Sequence, residues 1–240
     1  DRFDMFRDTS SMTYCGVAIS LNMVCEKPSR PVKTIKTALK EIGVFEDDIF
    51  LVSYPRSGNT WLRFLLASLI HNVSDLDFRN IESYAPDLYR HDNLSLLSVQ
   101  RPRIIKSHEM YCSGYPNPIY IYRDVRDIIV SFYHYLLKQG RKFSFDEYLD
   151  NFLKGKIFEN LRFGGWDRNI TSWLSHSESL VTVKYEDMLE DTKRCLVDIL
   201  TQIGIKRDAD RVERVVSKFS FKNLCQMEKK TRGVDYLEGN

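Results

Sequence analysis

Asp48-Ile-Phe-Leu-Val-Ser-Tyr-Pro-Arg-Ser-Gly-Asn-Thr-Trp-Leu-Arg-Phe-Leu-Leu-Ala67 decides the fold of this chain. Ile49 to Ser53 is a short apolar run of the kind that makes a buried parallel strand. Tyr54 to Gly58 breaks the run, and Asn59 to Ile70 then carries a nearly continuous apolar face interrupted by Arg63, which reads as a buried helix. Strand, Pro/Gly turn and helix N-terminus together present successive backbone N–H groups to an anion. Ser57, Asn59 and Thr60 add side-chain donors, and Arg56 adds a permanent charge. The stretch is therefore read as a phosphate cradle. An ordinary strand-to-helix turn with polar caps would carry the same residue types, and the loop is not G-x-x-x-x-G-K-[ST], since no Lys opens the helix.

Working outward, Arg103 to His108, Pro118 to Tyr122 and Leu180 to Lys184 read as further short strands. Between them, Asp124 through Lys138 has helical spacing, with Ile128, Ile129, Phe132, Tyr135 and Leu136 on one face. Residues 143–176 hold two helical pieces around Phe163-Gly-Gly-Trp166. Thr192 to Ile203 and Asp208 to Lys218 read as helices, the first stopped by Gly204. Strands separated by helices predict an α/β fold, a parallel sheet flanked by helices on both faces around a P-loop-like nucleotide-binding core. Upstream, Val32, Ile35, Ala38 and Ile42 are spaced for a helix ending at Gly43. Residues 1–30 have no assigned role, and Lys27-Pro-Ser-Arg-Pro31 reads as a connector. The polar stretch 73–100 reads as loops and short helices on the substrate side.

A chain of 240 residues suits one α/β domain spanning 1–240. A net charge of +2 argues against a general nucleic-acid binder. Five Cys, at 15, 25, 112, 195 and 225, show no C-x-x-C spacing, so free thiols in a reducing, cytoplasmic compartment are expected, without a zinc signature. Met12 to Cys25 is too short and too broken by Thr13, Ser20 and Asn22 to span a bilayer. Asp1, Asp4 and Asp8 do not fit the positive start of a signal peptide.

Two constellations stand at strand ends, where ligands of open α/β sheets bind. Lys106-Ser-His108 ends the second strand. A His there can act as a general base, and Lys106 alternates to the His108 side of the strand; a surface His packed under a loop would look the same. The third strand runs into Arg123-Asp124, with Ser131 eight residues beyond Arg123. A guanidinium fork and a hydroxyl so spaced suit an anion, and a solvated Arg/Asp cluster is the other reading.

Tyr54-Pro-Arg-Ser-Gly-Asn-Thr-Trp61 resembles the 5′-phosphosulfate loop of the cytosolic-type PAPS-dependent sulfotransferases, commonly Tyr-Pro-Lys-Ser-Gly-Thr-Thr-Trp. Lys106-Ser-His108, Arg123 with Ser131, Tyr133-His134, Val183-Lys-Tyr-Glu-Asp-Met188, Phe163-Gly-Gly-Trp166 and Ser220-Phe-Lys222 resemble further family segments in the family's order. The resemblance implies sulfuryl transfer from PAPS, giving 3′,5′-diphosphoadenosine (PAP), to a small-molecule hydroxyl or amine, without a metal. It implies His108 as the base, with Arg56 and Lys106 stabilising charge. Arg56, Ser57, Gly58, Asn59 and Thr60 would hold the 5′-phosphate, and Arg123 and Ser131 the 3′-phosphate. Trp61 and Tyr185 would line the adenine, with Phe221 near the nucleotide. The resemblance implies a core at roughly 45–225. Oligomeric state and acceptor are not legible.

The chain also departs from the pattern. Arg56 and Asn59 replace the usual Lys and Thr, and Asn169 stands where many relatives have His. Nothing after Phe221 matches the closing Arg-Lys-Gly…Gly-Asp-Trp-Lys segment. Two rivals follow. An ATP-dependent P-loop kinase would need a Gly-Lys-Ser/Thr loop and an acidic magnesium ligand, for which Asp187 is the loose candidate. A degenerate nucleotide-binding module without turnover would fit the missing tail, though not the intact Lys106-Ser-His108.

Overall fold

The computed structural model describes residues 33–36, 41–157 and 163–232. Lys33–Lys36 (β1) and Glu41–Val44 (β2) pair as antiparallel strands, Ile35 opposite Ile42. This corrects the helix expected over 32–42. The 32, 35, 38, 42 spacing is real, but Ile42 and Val44 alternate on a strand and are buried beneath Phe50, Val52 and Ile105. Gly43, read as a helix stop, lies inside β2, where its N–H donates to Asn93 Oδ1 at 3.1 Å. The segment at 1–30, with Cys15 and Cys25, lies outside the described residues; Cys112 and Cys195 are free thiols.

Ile49–Ser53 (β3) is buried along its whole length, as the apolar run requires. It leads into Asn59–Ile70 (α1), then the short helix Asn93–Leu97 (α2) and Ile104–Ser107 (β4). Pro118–Tyr122 (β5) precedes Val125–Lys138 (α3), Phe145–Leu153 (α4) and Trp166–Leu174 (α5). Val181–Lys184 (β6) runs directly into Tyr185–Glu190 (α6), and Thr192–Gln202 (α7), Ala209–Lys218 (α8) and Phe221–Arg232 (α9) close the described chain. Helices α6 and α9 were not expected; their runs are short, or polar on most positions.

The main sheet has the order β4-β3-β5-β6, all pairs parallel. Its two faces are covered separately, as a parallel sheet demands. Ile49, Leu51, Ile104, Ile119 and Ile121 pack under α1 and the C-terminal helices. Phe50, Val52, Ile105 and Tyr120 pack on the other face with Trp173 of α5. A third cluster joins Tyr54 to α3 and α4 through Ile128, Phe132, Tyr148 and Phe152. The C-terminal ends of β3, β4 and β5 thus converge on one rim. Among the described residues, no helix is long and apolar enough to cross a membrane.

Candidate active site

Leaving β3, the chain turns through Tyr54–Gly58 with two left-handed residues, Arg56 at φ 70 and Gly58 at φ 95. Gly58 is required twice over. Its φ suits glycine, and a Cβ there would stand 2.4 Å from Tyr185 Cδ2. Gly58 also caps α1 without any side-chain hydrogen bond, and no acid lies in the first turn. The positive end of α1 therefore keeps its N–H groups for an anion. Ser57 Oγ is buried at this point with no hydrogen-bond partner.

Arg56 points across the loop to α3. Its Nε donates to Ser131 Oγ at 3.1 Å, and its guanidinium lies over the Tyr135 ring, 5.1 Å from the centroid. Burial lowers its pKa from the ordinary arginine value; Tyr135 and Glu228 oppose the shift, and Arg123 adds to it. Arg123, from the end of β5, donates to the Arg56 carbonyl at 3.4 Å, and its guanidinium covers the Tyr185 ring at 4.4 Å. Its Nη2 reaches Asp127 Oδ2 at 3.3 Å while its Nε is buried without a partner. Arg56, Arg123, Ser131 and Tyr185 are thus one cluster at the mouth of the loop.

Two predicted residues, Asn59 and Trp61, and the departure at Asn169 have their side chains turned inward. The Asn59 side chain turns back onto β3, its Nδ2 donating to the Leu51 carbonyl at 3.1 Å and to Ser53 Oγ at 3.2 Å, so only its backbone faces the loop. Trp61 is buried, donating from Nε1 to the Phe219 carbonyl at 2.7 Å, with Tyr185 and Phe221 edge-on to it. Asn169 is fully buried. It donates to the carbonyls of His108 (3.1 Å) and Phe163 (2.8 Å) and accepts from Tyr120 OH at 2.9 Å. Its part is to hold the His108 loop.

His108 stands at the rim beside the start of the cradle. Its Nδ1 lies 2.7 Å from the Ser53 carbonyl. A carbonyl can only accept, so the neutral ring carries its hydrogen on Nδ1 and leaves the Nε2 lone pair available. Tyr89 stacks parallel to the ring at 6.0 Å, and Phe163 stands edge-on at 5.6 Å. The His108 main-chain N–H donates to Tyr89 OH at 2.8 Å. Burial, then the nearby Lys106 charge, lowers the His108 pKa to about 3, with Asp87 opposing. The ring is therefore neutral at ordinary pH. Lys106 reaches the same side, as alternation predicted, but its Nζ is held by Asp87 Oδ2 at 2.6 Å.

Sequence reasoning missed Asp87 and Glu228, and it read Tyr89 only as an aromatic of the 73–100 acceptor loop, not as a partner of His108. Tyr89 and Asp87 sit in a loop whose partner, β4, is assigned by tertiary contact alone. Glu228 lies on α9 beyond the Ser220-Phe-Lys222 segment, where no motif points to it, yet it is 2% exposed.

Residues 46–232 match the family described as the sulfotransferase domain. Bovine sulfotransferase 1A1 is 29% identical over 218 residues, covering 80% of this chain and 72% of that protein. Mouse sulfotransferase 1E1 is 27% identical over 203 residues, 74% of this chain and 66% of its own length. Among solved structures, mouse sulfotransferase SULT7A1 complexed with PAP is 25% identical with a TM-score of 0.60, over 76% of this chain and 67% of that one. Retinol dehydratase in complex with retinol and PAP shares the fold, with a TM-score of 0.66 at 18% identity, over 81% and 74%.

Proposed function

Because this chain belongs to the sulfotransferase domain family and is a PAPS-dependent sulfotransferase, we propose that it sulfates a hydroxyl or amine of a small-molecule acceptor, with His108 as general base. The observation that carries the base assignment is the Nδ1–H bond to Ser53, which leaves Nε2 as the acceptor at the mouth of the cradle. The cradle fits the cofactor by its own geometry. Ser57 Oγ and Arg123 Nε are buried without partners, and α1 starts just after Ser57 with no side-chain cap. Backbone N–H groups of Ser57 to Thr60 would hold the 5′-phosphate, and Arg123 with Ser131 the 3′-phosphate.

Held by the cradle, PAPS would supply the sulfuryl group for transfer to the acceptor oxygen or nitrogen, with the 5′-phosphate as leaving group. His108 Nε2 takes the acceptor's proton. Arg56 and Lys106 offset the negative charge that grows on the leaving side. Phe163 and Tyr89 flank the imidazole and give the acceptor site partly aromatic walls. The loss of the His108 side chain should lower turnover by roughly 10²- to 10⁴-fold. PAP affinity should stay near wild type, because the cradle contacts are on other residues. Labelled-sulfate transfer to an acceptor panel, with PAP titration calorimetry, tests this in His108→Ala; near-wild-type turnover would sink the assignment.

A further inference from the structure

The loop between α1 and β4 brings a carboxylate into the catalytic rim. Leu88 N–H donates to the Lys106 carbonyl at 3.0 Å and Lys106 N–H to the Pro86 carbonyl at 2.9 Å, so residues 86–88 extend the sheet edge along β4. This registers Asp87 beside Lys106. The Asp87 carboxylate is 5% exposed for the residue as a whole, with Oδ2 2.6 Å from Lys106 Nζ and Oδ1 accepting from Tyr89 N–H at 3.0 Å. Its backbone N–H is fixed in turn by Glu82 Oε2 at 2.8 Å, and Glu82 is held by Arg63 at 2.8 Å. Two residues on, Tyr89 stacks on His108 and accepts its N–H. One short segment therefore grips both Lys106 and His108.

We propose that Asp87 is a positioning residue for sulfuryl transfer, fixing the Lys106 ammonium against the sheet edge and balancing its charge beside His108. The proposal rests on the reading of His108 as base and Lys106 as charge stabiliser. Proton uptake by His108 creates an imidazolium near an ammonium, and like charges oppose this. A carboxylate locked onto the ammonium removes much of that opposition. It also stops Lys106 from following the nearest anion, so its charge stays where negative charge develops.

Asp87→Asn keeps the shape and the acceptor for Tyr89 N–H but removes the charge. We expect kcat to fall roughly 10- to 100-fold, the scale of a misplaced catalytic group, while PAP affinity by calorimetry is unchanged or tighter. A role in folding alone would weaken PAP binding and turnover together, and that outcome overturns the proposal, as does a wild-type kcat. Adding Asp87→Asn to Lys106→Met should change kcat by less than about threefold, because Asp87 acts through Lys106; fully multiplicative losses overturn it. Asp87→Glu keeps the charge and shifts the ammonium by about one methylene, so it covers a poorly folding Asn variant. It should melt like wild type with kcat lowered by about threefold or more, and an unchanged kcat overturns the proposal. His108→Ala run in parallel separates the two ideas. Inactive His108→Ala with fully active Asp87→Asn overturns the Asp87 role alone; fully active His108→Ala overturns the base and the proposal with it.

Discussion

Arg56 combines a left-handed backbone with a guanidinium locked between Ser131 and Tyr135. A non-glycine residue in that conformation costs on the order of 1–3 kcal/mol and persists where the surroundings hold it. The fork is thus preorganised as a clamp, and being always protonated it cannot donate a proton to the leaving phosphate. Arg56→Ala should lose roughly 10²- to 10³-fold in kcat, more than in PAP affinity. Arg56→Lys should keep substantial activity, as charge and approximate reach survive; steady-state kinetics beside calorimetry checks both. His108 makes a second residue-scale prediction. Its folded pKa of about 3 lies below the ordinary 6.5. Between those values the unfolded chain binds a proton that the folded chain refuses, so this contribution is complete above pH 6.5 and is lost as pH falls toward 3. His108→Asn should therefore lose less stability than wild type between pH 7 and pH 5 in urea titrations. Asp87, lowered to about 2 from 3.8 by Lys106 and Arg63 against its burial, acts only below that window.

Helix α9 lies along the cradle by a simple periodicity. Phe221 meets Trp61 at 5.9 Å, Leu224 and Cys225 are buried, and Glu228 follows one further turn along the same face. Glu228 acts electrostatically on Arg56, so an acid shares the neighbourhood of the cation that would grip a phosphosulfate. Glu228→Gln removes that competing charge. PAP affinity should rise by roughly tenfold, or ~1.4 kcal/mol, with the larger gain at low salt. Calorimetry at two ionic strengths decides it; unchanged or weaker binding would mean that Glu228 only packs.

At the scale of the whole molecule, one buried ion pair ties the hairpin to the sheet. Arg103 and Asp48 are both fully buried, with Arg103 Nε 2.8 Å from Asp48 Oδ1. The remaining Arg103 donors reach the carbonyls of Leu96 in α2 and Gly43 in β2, each at 2.9 Å. Every partner is satisfied, which is the condition for such a pair to be tolerated. Arg103→Met leaves Asp48 charged and buried and should destabilise the fold by about 3–5 kcal/mol. Urea denaturation measures the loss; PAP affinity of the folded fraction should not change, since the pair lies at the opposite strand ends from the cradle.

Apart from the short α6, the order of strands and helices from Ile49 to Lys218 was written in the sequence, because buried parallel strands need uninterrupted apolar runs and surface helices need a 3.6-residue stripe. So were the strand, turn and helix start of the proposed cradle, since its Pro and Gly are local properties of one stretch. Pairing was not. Val32 to Ile42 had helical spacing, and the burial of Ile42 and Val44 on the sheet overrode it. Asn59 and Trp61 carried the right chemistry on the page, yet their side chains turn inward to carbonyls that only the folded chain brings near, and so does Asn169. Asp87 and Glu228 reach Lys106 and Arg56 across 19 and 172 residues of sequence, and no local pattern encodes such an approach. The sequence by itself determined which groups this protein has and roughly where each strand delivers them. Tertiary structure alone decided which charges meet, because a charge's effect depends on distance and burial, and neither is a property of the chain before it folds.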